Sequence, residues 1–166
     1  MKKILFAIVA TAFIACSSND NPTTPKFSKD VQELWATLNG SYKGVFYLMN
    51  TDKVWYTETI KFTPYSEPKQ IYPIYTYDIG DIFAFGTAEI DDTRFTNISG
   101  KSTCYYVIQD TYNNKLTITF YEYNPESGNI IGDEDKRSIT NWSSTKFDMW
   151  GYGLTEAENS ITYNKQ

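Results

Sequence analysis

The sequence predicts an all-β domain: an antiparallel up-and-down β-barrel of about eight strands behind one helix, with a β-sandwich as the alternative. Three observations carry this. From Ser41 onward, apolar and polar residues alternate with period two. The alternating stretches are filled with β-branched and aromatic side chains, which suit a pleated surface, and aromatics reach 17% of the chain. Clusters of Asn, Asp, Gly and Pro punctuate the pattern at strand-length intervals.

The helix comes first. Phe27, Val31, Leu34, Trp35 and Leu38 fall at helical spacing, Ser28 supplies an N-cap and Gly40 a stop. Strands are expected near 41–49, 53–63, 70–77, 82–90, 102–110, 115–123, 136–142, 145–152 and 159–164. Asn50–Asp52 and Tyr112–Asn114 read as hairpin turns, and Asn124–Asp135 as a longer loop. Val54, Tyr56, Ile60 and Phe62 share one face of the second stretch, opposite Trp55, Thr57, Thr59 and Lys61. Leu116, Ile118 and Phe120 likewise oppose Lys115, Thr117, Thr119 and Tyr121. One dry and one wetter face suit a sheet curled on itself, and closure removes edges that invite aggregation. A barrel of this size is either filled by its side chains or holds one small ligand.

Ahead of the domain, Lys2 and Lys3 precede the apolar run Ile4–Ile14, too short to span a bilayer and of signal-peptide length. Ala15-Cys16 after it resembles the bacterial lipobox, with Phe13 where that motif usually has Leu. The resemblance implies cleavage before Cys16, lipidation of its thiol and stable anchoring by two or three acyl chains. The alternative is an ordinary secretory leader with Cys16 incidental. Residues 1–15 are then the leader, 16–26 a polar, proline-bearing tether, and 27–166 one domain. The expected location is the outer membrane of a Gram-negative envelope. Ser17, Ser18 and Asp20 resemble a surface-export signal, which leaves the periplasmic and cell-surface faces both open.

Within the domain, the helix, the glycine-led first strand Gly40-Ser41-Tyr42 and the up-and-down strand order resemble lipocalin-like domains of bacterial lipoproteins. That family opens its barrel on Gly-x-Trp, so Tyr42 stands for the tryptophan. The resemblance implies that this ring plugs the barrel floor under a cation from the last strand, where this chain has Lys165 in place of arginine. It also implies a ligand held inside the barrel.

Composition narrows the chemistry. Removing Lys2 and Lys3 leaves 13 basic against 20 acidic residues, a net charge near −7. Arg94 and Arg137 are the sole arginines, so nucleic acid is not an expected partner. The absence of histidine takes away the commonest general base and zinc ligand. With Cys16 lipidated, Cys104 has no disulfide partner and reads as a small buried hydrophobe. No nucleophile elbow or phosphate loop occurs. No enzymatic activity, cofactor or metal is therefore expected. Gly132–Asp135 reads as a solvated loop without EF-hand spacing, and a hydrolase built on two carboxylates remains the remote alternative.

The candidate binding residues follow from the inward faces. Phe46, Tyr56, Ile60, Phe120 and Met149 are expected to line a lumen for a small, mostly apolar ligand. Glu58 and Glu122 lie on otherwise apolar faces. They either orient that ligand as hydrogen-bond acceptors or sit where their strands meet solvent at the barrel mouth. A second candidate is a tyrosine patch, Tyr72, Tyr75 and Tyr77, whose flat apolar rings with polar tips suit a glycan or a protein partner. The plainer reading of those rings is strand and core.

Overall fold

The structure, a computed structural model, describes residues 26–48, 51–73, 81–93, 100–110, 115–151 and 159–166. The leader, Cys16, Tyr75 and Tyr77 lie outside the described residues. No helix among the described residues is long and apolar enough to cross a membrane.

Helix α1 (Lys29–Thr37) starts where Ser28 accepts a hydrogen bond from the Val31 amide at 3.3 Å. It stops at Leu38, and Gly40, at φ +91°, turns the chain into the first strand. Eight strands follow: β1 (Gly40–Tyr47), β2 (Val54–Ile71), β3 (Ile82–Asp92), β4 (Lys101–Asp110), β5 (Leu116–Tyr123), β6 (Ile130–Thr140), β7 (Lys146–Gly151) and β8 (Ile161–Lys165). Each pairs antiparallel with the next, and β1 pairs with β8, Tyr42 opposite Lys165 and Gly44 opposite Tyr163. The barrel is closed, so the sandwich alternative falls.

Two strand expectations are corrected. The strands expected at 53–63 and from residue 70 are not separate where the structure describes them, residues 74–77 lying outside the described residues. β2 runs through Pro64 and Pro68 to Ile71 by shifting register against β3 between Pro64 and Lys69. Such a bulge absorbs residues that cannot donate to the ladder, so the prolines bend the strand without ending it. The loop after β5 is also shorter than expected, and Gly132–Asp135 lies inside β6. Asn124 closes the turn early: its side-chain oxygen accepts from the amides of Glu126 and Ser127, at 2.8 and 3.3 Å.

The bend in β2 has a packing consequence. Ile71 of β2 and Ile82 of β3 close over Val107, Tyr121, Tyr105 and Ile130, making a second, smaller apolar cluster. The main core fills the barrel at the end where β1 begins. Tyr42, Phe62, Tyr106, Phe147 and Ile118 are buried there, and α1 adds Val31, Leu34 and Leu38. The Tyr42 ring packs on Phe147 at 4.9 Å, its hydroxyl donates to the Thr37 carbonyl at 3.2 Å, and Lys165 Nζ sits 5.6 Å from its centroid. Plug and covering cation thus take the places implied for them. Cys104 is a buried free thiol.

Candidate functional site

The opposite end of the barrel is open. There the last residues of β1, the first of β2, and parts of β6, β7 and β8 surround a cavity of about 780 Å³. That volume is in the range of small-molecule sites. Phe46, Tyr56, Trp150, Met149 and Ile161 form apolar walls. The Phe46 and Tyr56 rings stack at 4.0 Å, which fixes one wall. Tyr47, Leu48, Val54 and Trp55 are exposed at the rim, Trp55 by 62%, and form an apolar lip on the β1–β2 hairpin.

At the base of this cup lies a buried ion pair. Arg137 of β6 gives Nη1 to Glu58 Oε1 at 2.6 Å and Nη2 to Glu58 Oε2 at 3.1 Å, a fork-on-carboxylate contact. Nε and Nη2 also reach Asp135 Oδ2, at 2.9 and 2.6 Å. The Tyr163 hydroxyl donates to Glu58 Oε1 at 2.5 Å and accepts from Arg137 Nη1 at 3.5 Å. Below the cluster the guanidinium stands 5.4 Å from the Phe120 ring centroid, and the Tyr163 ring stacks on Phe147 at 5.2 Å. Gly44 makes room for that phenol: a Cβ there would lie 2.8 Å from the Tyr163 ring.

The sequence positions these groups through strand parity. Glu58 alternates with Tyr56 and Ile60 on the inward face of β2, and Asp135 and Arg137 alternate with Ile139 on β6. Burial works against the arginine's charge, but the hydrogen bonds and charges of Glu58 and Asp135 outweigh it and push its pKa up. The cup therefore carries a fixed cation between two acids.

Burial, with the neighbouring Glu58 charge, pushes the Tyr163 phenol up. Burial likewise raises Tyr106, and raises the Cys104 thiol to about 12. A group whose folded pKa is raised stabilises the fold fully below its unfolded value, about 8.5 for a thiol and about 10 for a phenol, and that stability is lost as pH rises. The urea midpoint is expected to fall steadily from about pH 8 to about pH 11. A flat midpoint across that window would contradict the burial of these three groups. Tyr163→Phe should make the fall shallower.

Of the residues singled out from the sequence, Phe46, Tyr56, Glu58 and Met149 line the cup. Ile60 and Phe120 do not. Both are buried in the filled part of the barrel, because side chains from all strands meet there. Glu122 is half-buried on β5 opposite Cys104, outside the cup. Glu58 is not at a solvated strand end: it is 2% exposed, its charge matched by Arg137. Asp135, Arg137, Trp150, Ile161 and Tyr163 were missed. An arginine at an inward position two residues before Ile139 was the one signal that could have found the cluster.

On the outer surface, Tyr72 is 77% exposed beside a groove of about 440 Å³ lined also by Gln70, Ile71, Tyr105, Gly128, Asn129 and Ile130. Tyr105 stacks on Tyr123 at 4.0 Å. Among the described residues no group of acidic or cysteine side chains is placed to hold a metal ion.

No protein family, curated protein or solved structure matches this chain. Its likeness to lipocalin-like barrels therefore rests on the closed eight-strand layout, the plugging Tyr42 and the Lys165 above it.

Proposed function

We propose that this protein is a non-enzymatic, lipid-anchored binding protein that holds a small, mostly apolar ligand at the mouth of its barrel. The observation that carries the reading is the cup of about 780 Å³: the barrel is filled at the helix end and hollow at the other. Its apolar walls supply burial, and the buried ion pair supplies a fixed polar base. The lip of Tyr47, Leu48, Val54 and Trp55 gives an apolar ligand a continuous path from the rim to the cavity.

Titration with the neutral fluorophore N-phenyl-1-naphthylamine tests it. Enhanced probe emission and quenched tryptophan emission are expected, and Ile161→Trp, which narrows the cup, should weaken both while leaving the circular dichroism unchanged. Absence of probe binding by the unmodified protein would rule the reading out.

Anchoring rests on the leader and Ala15-Cys16. Cells fed radiolabelled palmitate should yield a labelled protein in the outer-membrane fraction. Cys16→Ala should be unlabelled, and a labelled Cys16→Ala protein would end the lipid assignment. Protease shaving of intact cells would distinguish the surface face from the periplasmic one.

A second reading is favoured by the Tyr72 groove: recognition of a glycan or a partner protein by exposed aromatic rings. Under it, Tyr72→Ala abolishes retention on a glycan array without changing probe uptake by the cup, and unchanged retention would remove it. The third reading, a carboxylate-only hydrolase, draws no support from the cup's acids, since Arg137 occupies both Glu58 oxygens and Asp135 Oδ2.

A further inference from the structure

An arginine at the base of an apolar cup suggests at first a site for a carboxylate or phosphate headgroup. Counting donors reverses this. A guanidinium has five N–H groups. Here Nε–H goes to Asp135, the two on Nη1 to Glu58 and Tyr163, and the two on Nη2 to Glu58 and Asp135. The Tyr163 hydroxyl spends its own proton on Glu58. The cluster has no donor left for an anion.

What it retains is acceptor capacity. Glu58, Asp135 and Arg137 are the charged residues among those lining the cup, so the lining carries one net negative charge. Asp135 keeps about half of its side chain exposed, at 51%, while Arg137 is only 14% exposed. The partly open charge is thus the carboxylate, and the closed one is the cation. Tyr56, Trp150 and Asn159 have interactions of their own, and the other side-chain donors of the lining, Tyr47 and Trp55, stand exposed at the rim, away from the ion pair. An anionic headgroup at the base of the cup would meet a net negative surface and would have to break the Arg137–Asp135 contact to reach the guanidinium. A headgroup bearing N–H donors would add to the existing network and balance its charge.

We propose that the cup selects amphipathic amines: a protonated amino group at Asp135 above the Glu58–Arg137 pair, with the apolar body against Phe46, Tyr56, Met149 and Ile161. The inference rests on the binding-cup reading above and specifies its ligand class.

The test uses the intact protein and three probes of equal chain length, dodecylamine, dodecanol and dodecanoate, kept below micelle formation at neutral pH and read by displacement of N-phenyl-1-naphthylamine. Dodecylamine is expected to bind about tenfold tighter than dodecanoate, with dodecanol between them. Asp135→Asn should remove most of that gap. A readout that needs no variant is ionic strength: the gap should narrow as salt rises, because the aspartate is partly exposed. Dodecanoate binding as tightly as the amine, or a gap that responds neither to salt nor to the substitution, overturns the proposal while leaving the binding cup in place. Failure of all three probes to displace the fluorophore overturns the cup reading itself, and the amine proposal with it.

Discussion

Replacing Arg137 by methionine is expected to destabilise the domain by about 3–5 kcal/mol. Methionine matches the length of the arginine stem and removes the charge. Glu58, 2% exposed at the base of the cup, is then left with the Tyr163 hydroxyl as its remaining donor from the cluster. An uncompensated buried carboxylate is costly because the protein cannot replace the hydration it has lost. The double variant Arg137→Met/Glu58→Gln should recover a large part of the loss: both charges go, and a glutamine oxygen can still accept from Tyr163. Urea unfolding followed by tryptophan fluorescence measures both, and a double-mutant cycle isolates the pair. A single-variant loss below about 1 kcal/mol would mean that water in the cup solvates Glu58, and that the pair behaves like a surface salt bridge.

Gly86→Ala is expected to be comparably damaging, at about 3 kcal/mol or more. A Cβ at Gly86 would run into the Thr63 carbonyl oxygen and would lie 2.8 Å from Pro64 Cα and 2.7 Å from the Tyr106 ring. Two of these are backbone atoms held by the β2–β3 ladder, where Pro64 pairs with Gly86, so the clash cannot be relieved by a rotamer change. Tyr106 cannot yield either: it is fully buried, and its ring packs edge-on against Phe62 at 5.2 Å. The strands must part at the bend that folds Ile71 and Ile82 onto the second cluster. Loss of protection in that cluster, read by hydrogen exchange at Val107 and Tyr121, should exceed the loss near Tyr42. An equal or reversed loss would show that the bend does not depend on this contact.

Much of the architecture was legible because barrels advertise themselves through parity. Val54, Tyr56, Ile60 and Phe62 against Trp55, Thr57, Thr59 and Lys61 specify which face of β2 turns inward. Ser28 marks the start of α1 because its side chain satisfies a backbone donor that the helix cannot. The misplaced boundaries share one cause: local turn chemistry was read without its neighbours. The strand expected to end at Thr63 runs on past Pro64 and Pro68, and Gly132–Asp135, read as a loop, is strand, because a paired neighbouring strand carries both segments through.

The candidate site was legible by halves. Parity identified Phe46, Tyr56, Glu58 and Met149 as inward. It equally identified Ile60 and Phe120, which the core absorbs, because period two gives the face of a residue and not its height along the barrel axis. Arg137 lies 79 residues from Glu58, and Tyr163 lies 105 from it. No spacing rule reaches across such distances.

The sequence by itself determined the helix, the run of antiparallel strands and the inward faces. These depend on local propensity and alternation, whereas the plug at Tyr42 with Lys165 near it was implied only by the resemblance to lipocalin-like domains. Only the tertiary structure decided that one end of the barrel is filled and the other hollow, and that an arginine from β6, a glutamate from β2 and a tyrosine from β8 meet at the boundary between the two. Closure of β1 on β8 sets the stagger of all eight strands at once, and that stagger, a property of the whole ring, fixes which inward side chains share a level.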